Sequence, residues 1–532
     1  MKASREMEPS NSARWTLFVF IAALLIFGLT AYGGVRSPDN EVVFRAAESF
    51  ASRGLLDLGP DLGDWDGFGL ARGRDRNLYP IFGPLESIAL APFVGIGRSL
   101  AANYPAGAPL SPSFYVDDGF TTVMEGTPLR ARGSHALRLA CAGYNLLVAA
   151  GCAALFFRLA ARLAGGVHGA LVGTAFLAFG SLLWPYSGTY FSEPLALLLV
   201  LASILLLIRP DESRAGASAG WNRALAGAAL ALAISTHVSA ALFAPFFGAI
   251  AWSQGARRGR SAAVRETLRF CLGVGLGLLP LATYNWGRFG NPFETGRTAH
   301  PGLVELFRYG VFTAPWRGMY GLLLAPGKGL FLFSPAVLLG IAFWPTLHRR
   351  WPQISWALGS ALITRWLFIA ARSDWHGGFC LGPRYLLLAL PFLVLPIAVA
   401  VEELRRRGTR RHLPWLAAAL FLCVAQQAAF SIGEVFRFLH HARRAASAGG
   451  VDPFAGDRLY LDWQWSPLFR LLDGERGAYL LQGVPLGNLP LWLLICGLLL
   501  IPIWGGMRAL ARSSRAQPHP LQAGDGRVEV GS

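Results

Sequence analysis

Three short stretches of this chain combine charged residues with glycine or proline where an apolar run begins or ends. The first is Ser37-Pro38-Asp39-Asn40-Glu41, just beyond an apolar run that closes near Ala31. A carboxylate held where a helix leaves the membrane is partly desolvated, and such surroundings tune a general base. Asp39 and Glu41 are therefore candidate catalytic bases, against the plainer reading of a polar loop start. The second stretch is Ala325-Pro326-Gly327-Lys328-Gly329-Leu330. It lacks the GxxxxGK[ST] spacing of a phosphate loop. Lys2 and Lys328 are the two lysines among 48 basic residues, which leaves 46 arginines. A compact ammonium suits a phosphate, and an interfacial lysine that snorkels to water is the competing reading.

The third stretch runs from Asp374-Trp375-His376-Gly377-Gly378 to Gly382-Pro383-Arg384-Tyr385. Pro383 fits a first helical position with Gly382 as its cap. Arg384 then falls in a first turn, where the helix dipole disfavours a cation unless an anion binds there. Gly377 and Gly378 allow a ligand to approach the backbone closely. Trp375 either stacks on a sugar face or anchors at the membrane interface. Glu193, in Tyr190-Phe191-Ser192-Glu193-Pro194, is a candidate second acid, whereas His237 reads as structural. His440 and His441 lack partners at metal-ligand spacing, and the six cysteines form no CxxC pair. No metal site is expected; Asp117 and Asp118 are the residues that would supply one if a divalent ion is used.

These residues need long apolar elements to hold them. Hydrophobic residues make up 53% of the 532 and charged residues 15%, well under the roughly one quarter usual in soluble domains. About twenty helical residues cross a bilayer core, and about twelve runs come near or reach that length. They lie at 15–33, 135–157, 167–184, 191–208, 222–236, 238–253, 268–285, 326–346, 353–371, 383–401, 413–432 and 487–508. The fifth and sixth form a kinked or re-entrant hairpin around His237. The fold class is an all-α polytopic membrane protein.

The net charge of +17 sits in short loops such as Arg257-Arg258-Gly259-Arg260 and Arg405-Arg406-Arg407. That is the positive-inside pattern and not a nucleic-acid patch. Residues 1–14 then form a cytoplasmic N-terminus and 15–432 a transmembrane core with an exoplasmic loop at 34–134. A second exoplasmic loop follows at 433–486, a last span at 487–508 and a disordered cytoplasmic tail at 509–532. Within the first loop, Leu85–Gly97 is apolar but too short to span, and residues 42–53 are amphipathic. Both read as interfacial helices. Gly273-Val274-Gly275-Leu276-Gly277 lies inside a span, where small residues serve helix packing.

The ordered motifs resemble the GT-C class of membrane glycosyltransferases, among them protein O-mannosyltransferases, aminoarabinose transferases and arabinofuranosyltransferases. The resemblance is carried by Ser37–Glu41, Leu78-Tyr79-Pro80, Tyr190–Pro194 and Tyr284-Asn285-Trp286-Gly287-Arg288-Phe289-Gly290-Asn291-Pro292. Pro326–Pro335, Trp375–Gly378 and Gly382–Tyr385 complete it. It implies a bacterial plasma-membrane enzyme that moves a sugar from a polyprenyl-phosphate carrier to a glycan, lipid or protein acceptor on the exoplasmic side. Asp39 takes the place of the family's first-loop acid, although this chain reads Asp-Asn-Glu where many relatives have adjacent Asp-Glu. Either Asp39 or Glu41 is then the base. Lys328 and Arg384 hold the donor phosphate, with Trp375, His376, Glu193 and Arg288 completing the substrate-binding set. The rival readings are a transporter or flippase of lipid-linked sugars, or a polymerase or ligase with a lipid-diphosphate donor. A transporter is expected to show inverted repeats and ionisable or broken-helix residues near the midplane; here the informative residues sit at the outer boundary, in loops, and no repeat is visible.

Overall fold

The computed structural model describes residues 9–31, 37–61, 69–102, 132–208, 218–298, 311–378, 380–409, 411–432, 449–450 and 458–470. Helix α1 (Pro9–Leu29) leads into α2 (Pro38–Arg53). The Ser37 hydroxyl accepts the Asn40 N–H, Pro38 occupies the start of the helix, and Asp39 and Glu41 fall in its first turn. Capping hydroxyl, early proline and early carboxylates all favour a helix starting here. Gly54, left-handed at φ 70°, ends it.

A two-stranded antiparallel hairpin follows, β1 (Leu70–Arg72) and β2 (Leu78–Pro80), with Ala71 opposite Tyr79. Helix α3 (Pro84–Ala102) then packs against α2 and against α4 (Arg132–Ala164). Val43, Phe44 and Ala47 of α2, Leu90 and Val94 of α3, and Leu137 and Cys141 of α4 share one buried cluster. The apolar segment of the first loop is thus a full helix with one face buried in protein.

The chain continues through α5 (Val167–Ala178), α6 (Leu183–Ser187), α7 (Glu193–Leu207) and α8 (Ser218–Thr236). His237 is extended, and a 3₁₀ turn at Val238–Phe243 leads to α9 (Ala244–Ala256). Helix α10 (Arg260–Phe289) packs along α8 through its glycines. A Cβ on Gly273 would lie 1.9 Å from the Ala224 carbonyl oxygen, and one on Gly277 would lie 2.6 Å from the Ala231 Cβ. Small residues let two backbones approach as apolar medium requires.

Helices α11 (Trp316–Leu324), α12 (Leu330–Phe333), α13 (Ala336–Arg350) and α14 (Pro352–Ala370) come next. The segment expected as one span at 326–346 is interrupted. Ser334 leaves the helical region, with φ −145° and ψ 67°, because Pro335 disfavours helical geometry in the residue before it. The freed Ser334 hydroxyl accepts the Leu182 N–H at 3.1 Å. The tenth expected span opens as a 3₁₀ helix, Arg384–Ala389, before α15 (Leu390–Arg406). Pro383 is its capping residue rather than its first helical one. Helix α16 (Leu413–Ile432) and the short α17 (Arg458–Leu461) follow.

Among the described residues, five stretches are long and apolar enough to cross a bilayer: Ser12–Leu29, Ala140–Ala164, Arg260–Phe289, Arg384–Arg406 and Pro414–Ser431. Helices Val167–Ala178 and Glu193–Leu207 are apolar but shorter. The expected span at 487–508, the tail at 509–532, and Asp117, Asp118, His440 and His441 lie outside the described residues.

Candidate active site

Asp39 and Glu41 share a helical turn but not a direction. Two residues on a helix are turned roughly 200° apart, so the pair separates into different surroundings. Glu41 is fully buried and accepts a hydrogen bond from Arg45 Nε at 2.9 Å, one turn along the same helix. Asp39 faces an open cleft, and Glu41 does not line it.

The cleft is built from helix ends. Asp39 comes from the start of α2, Glu193 from the start of α7, and Arg288 from the last turn of α10. Arg384 and Tyr385 come from the start of the 3₁₀ helix, His237 from the extended residue after α8, and Arg297 from the loop after α10. Both carboxylates lie at helix N-termini, where the dipole favours them. The loop before Glu193 is held by Asn145, whose side-chain amide donates to the Thr189 and Phe191 carbonyls at 2.5 and 3.1 Å.

Arg384 lies between the two carboxylates. Its Nη1 donates to Asp39 Oδ2 at 2.7 Å, and its Nε stands 3.7 Å from Glu193 Oε1 without completing a hydrogen bond. Glu193 is buried, and its Oε2 has no hydrogen-bond partner among the described residues. The guanidinium also packs over the Phe191 ring at 4.8 Å. The cation disfavoured at this helix start is thus met by two anions, and one buried carboxylate oxygen retains hydrogen-bonding capacity. His237 Nε2 is 3.9 Å from Glu193 Oε1, and its Nδ1 meets the Ser239 hydroxyl at 2.7 Å. Burial, reinforced by Arg365 and Arg297, holds His237 well below the ordinary imidazole range, so it is neutral at physiological pH.

Arg288 donates to the Pro80 carbonyl at 3.0 Å and to Asn285 Oδ1 at 2.6 Å, and packs 4.0 Å from the Tyr284 ring centre. It thereby ties the β-hairpin to the cleft wall. Arg297 makes no hydrogen bond or ion pair among the described residues. Arg365 is fully buried in α14 and donates twice to the Tyr385 carbonyl, at 3.0 and 2.6 Å, and once to the Ser239 carbonyl at 2.9 Å. It links the strand of chain bearing Arg384 to the one bearing His237.

Lys328, Trp375 and His376 form a separate group beside the cleft. The buried Lys328 Nζ lies 2.7 Å from the Gly378 carbonyl, 2.8 Å from the Cys380 carbonyl and 3.0 Å from Cys380 Sγ. Three contacts occupy the three N–H groups of an ammonium. Gly377 and Gly378, at φ 70° and 71°, turn the loop so that these carbonyls point inward. His376 stacks on Tyr460 at 4.4 Å and accepts the Gly378 N–H at 3.0 Å. Burial, with Lys328 adding to it, lowers His376 to about 3. Trp375 is buried beside it. Burial would raise the pKa of Asp374, but a two-pronged bond from Arg372, at 2.6 and 2.5 Å, holds it below the usual carboxylate range.

Of the residues expected from sequence, the fold brings Asp39, Glu193, Arg288 and Arg384 to one cleft and sets Glu41, Lys328, Trp375 and His376 outside its lining. Arg297, Arg365 and a cleft-facing His237 were not singled out. The signal for Arg365 was present in sequence as an arginine inside an apolar run, a placement that demands partners. Among the described residues, no group of three or more His, Cys, Asp or Glu side chains is placed to hold a metal ion.

No protein-family model matches the chain, and no curated protein matches it in sequence. Solved structures do resemble it. A crystal structure of the Archaeoglobus fulgidus oligosaccharyltransferase, tethered to an acceptor peptide containing the NVT sequon, aligns at 14% identity and a TM-score of 0.49. The alignment covers 78% of this chain and 55% of that one. The same protein in complex with Zn and sulfate aligns at 14% identity and a TM-score of 0.46, covering 77% and 53%. This chain therefore spans little more than half the length of that oligosaccharyltransferase. ArnT from Cupriavidus metallidurans in the apo state aligns at 14% identity and a TM-score of 0.44, covering 88% of this chain and 77% of that one. At such identity these are likenesses of helical arrangement, and the chemistry of the cleft rests on its own residues.

Proposed function

We propose that the cleft is the active site of a membrane glycosyltransferase. It moves a sugar from a polyprenyl-phosphate carrier to an envelope acceptor on the exoplasmic side, with inversion at the anomeric carbon. The observation that carries this reading is the single arginine, Arg384, bridging Asp39 and Glu193 at a cleft that also presents Arg288 and Arg297. A general base beside clustered cations is what displacement of a phosphate by a hydroxyl requires.

Asp39 takes the proton of the acceptor hydroxyl. The acceptor oxygen bonds to the anomeric carbon while the bond from that carbon to the carrier phosphate breaks, and the phosphate leaves with the electron pair. Arg384, shared between two carboxylates, contacts the phosphate as its negative charge grows, and Arg297 supplies a second cation. Glu193 keeps Arg384 in place and offers its unoccupied oxygen to a sugar hydroxyl. Lys328 supports the site through the carbonyls of Gly378 and Cys380 rather than through the donor.

The test is transfer by the purified chain in vesicles supplied with a labelled polyprenyl-phosphate sugar and acceptor. Formation of a glycosidic product supports the reading. Movement of the lipid-linked sugar across the bilayer with no product replaces it with a carrier, and product from a lipid diphosphate alone replaces the donor class.

A further inference from the structure

Behind the cleft wall lies a buried acid that the proposed reaction does not use. Glu86 stands in the first turn of α3 and is completely buried. Neither of its carboxyl oxygens has a hydrogen-bond partner among the described residues. The elements packed on α3 are α2, with Asp39 and the Glu41–Arg45 pair, α4, with Tyr144, and α8, which ends at Thr236 before the neutral His237. Among the described residues, the groups that act on the charge of Glu86 are Tyr144 and, from the start of α7, Glu193. Neither is a cation. Glu41 shows the contrast: it is equally buried, yet Arg45 meets it at 2.9 Å.

Unmatched polar atoms recur on the same elements. The loop leading to Glu193 is clasped between Asn40, whose Oδ1 accepts the Tyr190 N–H at 3.4 Å, and Asn145, which donates to the Thr189 and Phe191 carbonyls. Asn40 Nδ2, the Tyr144 hydroxyl, Asn145 Oδ1 and Glu193 Oε2 are buried without a hydrogen bond. With the two Glu86 oxygens, four acceptors stand against two donors. A carboxyl that keeps its proton turns one acceptor into a donor and removes a charge that has no counter-ion. The dipole of α3 favours an anion in its first turn, but no N–H bonds to this one. Burial, reinforced by the nearby Glu193, holds Glu86 well above the ordinary carboxylate range.

We propose that Glu86 keeps its proton behind Glu193 and acts as a positioning residue, an inference that rests on the reading of the cleft as catalytic. The neutral acid leaves the negative charge of the pair to Glu193, where Arg384 uses it. An ionised Glu86 would set a second buried anion behind Glu193 and drive a proton onto it, since like charges in one buried site disfavour each other. A neutral Glu193 no longer draws Arg384, and the guanidinium loses one of the two anions that hold it.

The full chain, reconstituted in vesicles without substrate, is compared with Glu86→Gln by infrared difference spectroscopy. At neutral pH wild type should show the carbonyl band of a protonated carboxyl group that the variant lacks. Glu193→Gln takes away the neighbouring charge, so in that background the band should disappear at lower pH than in wild type. In transfer assays Glu86→Gln mimics the neutral acid and should keep kcat within about twofold, whereas Glu86→Leu offers no polar hydrogen and should lower kcat about tenfold at unchanged KM. Wild type should also lose rate at alkaline pH as Glu86 ionises, and Glu86→Gln should hold its rate further into that range. The proposal is overturned by a spectrum in which Glu86 contributes no protonated band, by a titration unmoved in Glu193→Gln, or by a Glu86→Gln rate as low as that of Glu86→Leu. The infrared readings need no substrate, so a wild type that makes no product sinks the glycosyltransferase reading, while the band and its shift still decide whether the two carboxyls are linked.

Discussion

The two ends of α10 and α15 treat carboxylates in opposite ways. At the end remote from the cleft, Glu266 is surrounded by four arginines. Glu402 there is met by Arg405 at 2.6 Å, Arg406 at 3.5 Å and the Gly169 N–H at 3.0 Å. At the cleft end, two carboxylates share one arginine at contact distance, and a buried carboxylate oxygen has no hydrogen bond. Glu266 and Arg288 are 22 residues apart on one helix, roughly 33 Å, so a single element carries both regimes. Excess cation around an acid fixes structure. Two acids contending for one arginine leave a carboxylate oxygen with unused capacity, which is what a reacting ligand needs.

Breaking the cleft end should have the largest effect on the reaction. Asp39→Asn keeps shape and removes basicity, and transfer should fall at least a hundredfold while donor binding persists, since a general base contributes ~10²–10⁴-fold. Equal rates in the variant and wild type would remove Asp39 from the mechanism. Glu41→Gln is the paired measurement, expected to lower the melting temperature more than the rate. Next in size, Arg384→Gln should weaken donor binding roughly 10- to 100-fold, the range for one charge-assisted contact. Undiminished affinity for labelled polyprenyl-phosphate sugar would leave Arg384 as a structural bridge only.

A smaller loss is expected one step removed from the cleft. Arg365→Met takes away three bonds to the Tyr385 and Ser239 carbonyls and should lower kcat about tenfold through misplaced Arg384 and His237, by analogy with other positioning losses. Partial rescue by Arg365→Lys, with insertion unchanged, distinguishes positioning from misfolding. At the arginine-rich end, Glu266→Gln should leave the transfer rate within about twofold. It should still lower thermal stability, because it strips the partner from clustered and partly buried charges. A rate loss as large as that of Asp39→Asn would abolish the distinction between the ends.

How much of this was readable in the sequence depended on whether position along a helix decided the matter. Asp39, Glu193 and Arg384 were legible because a charge at a helix start has restricted surroundings whatever the tertiary fold. The separation of Glu41 from Asp39 follows from helical periodicity, and Arg45 four residues on was the visible partner. Lys328 attracted a phosphate role through its rarity, yet its partners are main-chain carbonyls of a loop 50 residues away. Their direction is set by two left-handed glycines, and no side-chain pattern records that. Arg297 stands in an irregular loop, where no period points at the cleft. The helices themselves were legible from hydropathy, and so was the break at His237, whereas the break at Ser334 needed backbone detail, and the β-hairpin carried too few residues to register as alternation.

The Arg384–Asp39 contact joins residues 345 positions apart. A ribosome adding about 5–20 residues per second therefore delivers Asp39 roughly 17–70 s before its cation exists. During that interval the acid at the start of α2 lacks the arginine it pairs with, and Glu193 waits for the same guanidinium. Chains stopped before Arg384 should accordingly be recognised and degraded as incomplete, so that biosynthesis itself discriminates against a half-built cleft.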